Sequence, residues 1–80
     1  MEKSLWSKEY RLVLSHLKQA RRKAGLSQEQ LADRLTETQS FISKCERGER
    51  RLDVIELRRF CKAIGVSFPE FTRRLDRALD

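Results

Sequence analysis

The sequence predicts an all-α domain of five short helices, and three observations carry that prediction. Apolar residues recur every three or four positions from Tyr10 to Leu79, and no stretch has the alternation of a half-buried strand. A capping signature occurs three times, in Leu26-Ser27-x-x-Gln30-Leu31, Leu52-Asp53-x-x-Glu56-Leu57 and Val66-Ser67-x-x-Glu70-Phe71. Each sets a side-chain acceptor just ahead of a helix, a carboxylate or amide three residues on, and an apolar pair bracketing both. Finally, Gly25, Gly48 and Gly65 each follow an apolar-periodic run, where a left-handed residue ends a helix at little cost.

The elements follow in order. Trp6, so near the start, is expected either to fold back onto the core or to sit in an interface. From residue 8 to 24, Tyr10, Val13, Leu14, Leu17, Ala20 and Ala24 form a helical stripe, with Ser7 as its cap and Gly25 as its stop. The opposite side, with Lys18, Arg22 and Lys23, reads as a solvated face. A second helix, 28 to 35, carries Leu31, Ala32 and Leu35, and a third, 39 to 47, carries Ile42 and Cys45. The fourth, 54 to 64, is expected to form the back of the core with Ile55, Leu57, Phe60, Cys61 and Ile64. The fifth, 68 to 78, tolerates Pro69 in its first turn, where a missing N–H is harmless. Phe68 and Phe71 should cover the first and fourth helices, whereas Leu75 and Leu79 continue the stripe past the reach of so small a core. Together with Trp6 they are the expected contacts of a homodimer.

Two short helices joined by so brief a turn can only cross, so residues 28–47 read as a helix-turn-helix. The crossing leaves one face of the third helix pointing away from the apolar contacts, and that face holds Gln39, Ser40, Ser43, Lys44 and Arg47. Gln39 and Ser40 open the helix, the end that enters a major groove when such a helix docks. A glutamine amide can bond the N6 and N7 edge of adenine with both of its polar atoms, and a serine suits several bases. Lys44 and Ser43 lie one turn further on. Phe41 either touches a thymine methyl group or packs against the turn or Cys45. Gln28 begins the second helix, where exposed N–H groups and the helix dipole favour a phosphate. Arg47, Arg50 and Arg51 bracket Gly48 as further phosphate contacts. If Glu46 turns inward, four cations between residues 38 and 51 face one anion, a surplus of three.

With L14-x-x-L-x-x-A-R21, G25-L-S-Q-E-Q-L-A32 and Q39-S-F-I-S-K-C-E-R-G48 in place, the stretch from Tyr10 to Phe71 resembles the phage-repressor-like (Cro-like, XRE-type) helix-turn-helix regulators. The resemblance implies a compact lambda-repressor-like DNA-binding domain and base contacts from Gln39, Ser40, Lys44 and Ser43. It also implies that Gln28 touches the DNA backbone while buttressing Gln39, and that Arg21 and Glu46 form an ion pair joining the first helix to the end of the third. One departure concerns the turn, which in the family reads glycine then an apolar residue and here reads Thr36 then Glu37. Since a β-branched residue fits a left-handed position poorly, the turn is expected to take another path.

Composition narrows the function further. A chain of 80 residues is read as a single domain with a small core, leaving no room for a second, sensing domain. The formal charge of +6 favours a polyanionic partner, here double-stranded DNA with a pseudo-palindromic operator. Cys45 and Cys61 both fall at apolar-periodic positions and read as core residues. His16, the one histidine, lies off its helix's stripe and reads as solvated, so no metal or other cofactor is expected. No nucleophile, base and orienting partner can be assembled, which excludes an enzyme. The start lacks the apolar run of a signal peptide or membrane span, which makes a cytoplasmic protein with no membrane contact the expectation. The reading is therefore a small transcriptional regulator, a repressor, and the rival is a protein-interaction module such as an antitoxin that binds a partner protein as well as or instead of DNA.

Overall fold

A computed structural model describes residues 7–80, and over that span the chain forms α1 (Lys8–Lys23), α2 (Gln28–Leu35), α3 (Gln39–Glu46), α4 (Val54–Ile64) and α5 (Phe68–Leu79). No strand occurs among the described residues, and Trp6 lies outside them. The helix starts follow the local chemistry. Ser7 accepts from the Tyr10 N–H, and Ser27 and Asp53 form complete capping boxes with Gln30 and Glu56. Each cap of this kind contributes about 1 kcal/mol. The third signature is only half built, because Ser67 accepts from the Glu70 N–H while the Glu70 carboxylate turns outward to Arg73 and Arg74. A cap that the sequence pattern did not single out, Thr38, accepts from the Phe41 N–H and starts α3.

Leu17, Leu31, Ile42, Cys45 and Cys61 are the largest fully buried side chains, and with Leu26, Leu35, Phe60, Ile64 and Phe71 they make one core shared by all five helices. Removing both thiols from water pushes their pKa values up to about 11. Both cysteines are free, and both are packing residues. Three expectations are corrected. Ile55 is 62% exposed, since it lies about half a turn round the helix from the stripe of Leu57, Phe60, Cys61 and Ile64. Leu75 packs against the core instead of standing beyond it, because α5 lies along α1 and α4 far enough to cover a further turn, leaving Leu79 as the exposed end of the stripe. His16 is likewise half-buried, in a groove between α1 and α5 that Gln19, Lys23, Glu70 and Arg74 also line.

The turn of the helix-turn-helix departs most from expectation. Thr36 adopts φ 57° and ψ 45°, the left-handed conformation, so the chain does not take an alternative path. Two bonds hold it there: the Thr36 N–H donates to the Asp33 carbonyl at 3.2 Å and the Glu37 N–H to the Ala32 carbonyl at 2.9 Å. Gly25 and Gly48 close α1 and α3 with the same pair of bonds. The closure that satisfies the last carbonyls of α2 thus outweighs the steric cost of a β-branched residue, about 1–3 kcal/mol. Thr36→Gly should relieve that strain against a smaller loss from the more flexible unfolded chain, a net gain of about 1 kcal/mol. A melting temperature raised by about 4–8 °C is the expected reading, and an unchanged or lower one would show that the turn stores no such strain.

Candidate nucleic-acid interface

α3 owes its position to contacts on its inner side. Ile42 and Cys45 are fully buried, and Phe41 packs against Phe60 with ring centroids 6.3 Å apart. Phe41 is therefore a packing residue. With those side chains inward, Gln39, Ser40 and Lys44 are exposed and Ser43 half-exposed.

A continuous hydrogen-bonded chain runs from the core to this surface. Arg21 is 6% exposed, and its Nε and Nη2 donate to the two Glu46 carboxylate oxygens at 2.6 and 3.1 Å. Its Nη1 donates to the Leu26 carbonyl at 2.7 Å, which ties down the entry to α2. Gln28 Nε2 donates to Glu46 Oε1 at 2.9 Å, and Gln39 Nε2 donates to Gln28 Oε1 at 2.6 Å. The Gln28 side chain is thus engaged at both ends. Its link to Glu46 had no sequence signal, because the two residues are separated by eighteen positions and meet only when α2 crosses α3.

The arginines flanking Gly48 are also held. Arg47 makes two bonds to the Glu49 carboxylate, at 2.9 and 3.2 Å, and one to Ser43 Oγ. Its guanidinium pulls the Glu49 carboxyl below the usual carboxylate range. Arg50 makes a two-pronged bond to Glu56, at 3.1 and 2.7 Å, donates to the Arg51 carbonyl, and lies over the Phe41 ring at 5.1 Å. The same guanidinium, with the Asp53 N–H, holds the Glu56 carboxyl low. Arg51 lies over the Tyr10 ring at 4.4 Å, and the Tyr10 hydroxyl accepts from the Leu52 N–H at 3.0 Å. Since Glu56 joins this surface while Glu46 is matched by Arg21, the four cations face two carboxylates, and the surplus is two instead of three. Sequence reasoning missed the Arg50–Glu56 pair because Glu56 already had a role, in the capping box of α4.

A family profile described as helix-turn-helix matches residues 17–71, which contain α2, the turn, α3 and the whole ion-paired chain. The chain belongs to the XRE-type helix-turn-helix family. This XRE-type domain is 38% identical, over 66 residues, to an uncharacterized HTH-type transcriptional regulator, y4dJ, of Sinorhizobium fredii (strain NBRC 101917 / NGR234). The match spans 82% of this chain and 86% of that relative. An XRE-family like protein from Pseudomonas syringae pv. tomato str. DC3000 has a solved structure that superposes with a TM-score of 0.88 at 40% identity, covering 99% of this chain and 96% of that one. The XRE-type family is one of DNA-binding transcriptional regulators. In this XRE-type domain the described residues contain no cluster of three or more His, Cys, Asp or Glu side chains that could hold a metal ion. None of its described helices is long and apolar enough to cross a membrane.

Proposed function

We propose that this domain binds double-stranded DNA sequence-specifically, with α3 in the major groove, and acts as a small transcriptional repressor. The observation that carries the reading is the exposed start of α3, where Gln39 is held by Gln28 with base-bonding capacity to spare. Gln39, Ser40, Lys44 and Ser43 are the proposed base contacts. Phosphate contacts come from Arg47, Arg50 and Arg51, from the N–H groups opening α2 and from the second Nε2–H of Gln28, whose other N–H is committed to Glu46. Arg47 and Glu49 are both more than half exposed, so their ion pair is worth little in water and can be exchanged for phosphate.

The test is binding of the purified protein to duplexes selected from a random pool, across a salt series. With three phosphate-facing arginines per protomer, log K should fall against log salt with a slope of about −3 for each copy bound. A reporter transcribed through the selected duplex should lose output when the protein is expressed. No preference over scrambled duplex, together with no salt dependence, would overturn the reading.

The proposed binding form is a homodimer on a pseudo-palindrome, two copies of α3 standing about 34 Å apart. Leu79, 40% exposed at the end of the α5 stripe, supports it. Val54 and Ile55 add apolar surface at the start of α4. Sedimentation should show a dimer at high protein concentration or on DNA; monomer under both conditions would refute this form.

A further inference from the structure

The chain Arg21–Glu46–Gln28–Gln39 has a direction, and Glu46 sets it. A carboxylate can only accept hydrogen bonds, whereas each glutamine amide can present either its oxygen or its NH₂ group. Gln28 therefore meets Glu46 with Nε2, at 2.9 Å, and is left with Oε1 toward α3. That oxygen requires a donor, so Gln39 meets it with Nε2, at 2.6 Å. The flip of both amides follows from the charge at the buried end, which Arg21 fixes with two bonds. Gln39 then turns Oε1 and one remaining N–H to the surface. That pair complements adenine, which offers an N6–H donor and an N7 acceptor, and not guanine, whose O6 and N7 are both acceptors.

We propose that Glu46 is a positioning residue for base readout: acting through Gln28, it sets the flip of the Gln39 amide and so makes α3 select adenine over guanine. The proposal rests on α3 being the reading helix. With Glu46→Gln, the new amide keeps its oxygen on Arg21 Nε, gives up the Nη2 bond to the atom shared with Gln28, and turns its NH₂ group to Gln28. Gln28 then accepts with Oε1 and donates Nε2 to Gln39, whose amide turns over and leads with NH₂. The preferred base at that position should move from adenine toward guanine or thymine, which carry acceptors.

Wild type, Glu46→Gln, Gln28→Met and Gln39→Ala are each put through duplex selection from a random pool, with melting curves alongside. Wild type should favour adenine at one position per half-site, and Gln39→Ala should abolish that preference. Glu46→Gln should lower the adenine-to-guanine ratio there by about tenfold. Gln28→Met removes the relay without touching the ion pair, so it should lower the same ratio by a similar factor while the melting temperature stays within a few degrees. A folded Glu46→Gln with the wild-type ratio overturns the proposal. If that variant does not fold, an unchanged ratio in Gln28→Met overturns it instead. If the preference survives Gln39→Ala, the reading helix itself is wrong and the relay falls with it. That outcome is distinct from one in which only Gln39→Ala matters, which rejects the relay and leaves the DNA reading standing.

Discussion

Glu46→Ala should destabilise the domain by about 3–5 kcal/mol, a fall in melting temperature of about 15–30 °C for a chain of this size. The two side chains of the Arg21–Glu46 pair are only 7% and 3% exposed, so water cannot replace the missing carboxylate. Arg21 would keep its bond to the Leu26 carbonyl but lose both bonds to Glu46, leaving a guanidinium charge buried with most of its donors unmet. Gln28 Nε2 would lose its acceptor as well. In the intact protein, the described residues contain no buried side-chain polar atom without a partner, so truncation creates a defect that the fold otherwise avoids. Glu49→Ala is the matching control. It removes an ion pair of similar geometry whose side chains are more than half exposed, and it should leave the melting temperature almost unchanged. A Glu46→Ala protein that melts within a degree or two of wild type would show that the pair contributes little.

Gln39→Ala should lower the ratio of selected to scrambled duplex affinity by about 5- to 150-fold, corresponding to the ~1–3 kcal/mol of a well-made bidentate base contact. Two further readings should not move. Gln39 carries no charge, so the salt slope should match wild type. The residue is also exposed, so Gln28 Oε1 can turn to water, and the melting temperature should hold. A specificity loss without a change in either is the signature of a reading residue, separate from one that holds the backbone. Should the ratio stay the same, α3 is not the reading helix, and the protein-interaction alternative would move ahead.

The sequence by itself determined the elements. Four of the five helix starts follow directly on Ser7, Ser27, Asp53 and Ser67, and three of the ends lie within two residues of Gly25, Gly48 and Gly65. The reason is local: a cap joins residues three apart and a left-handed closure spans one turn, so each acts before any tertiary contact exists. The exposed polar face of α3 was legible on the same grounds, since Ile42 and Cys45 can point inward only if Gln39, Ser40 and Lys44 point out. Resemblance supplied the pairing of Arg21 with Glu46, which lie twenty-five positions apart, beyond any local rule.

Only the tertiary structure decided the rest. Thr36 is left-handed because α3 must cross α2 where Ile42 and Cys45 reach the core, and that packing, together with the two bonds that close α2, outweighs the preference of a single threonine. Leu75 faces the core because α5 lies along α1 and α4 for a further turn, which apolar spacing alone does not specify. The direction of the Gln28 and Gln39 amides likewise appears only once the crossing of α2 and α3 sets Gln28 between Glu46 and Gln39. Side-chain amides have no intrinsic preference between their two flips, so the choice passes to the nearest group that can only accept, and in this fold that group is Glu46.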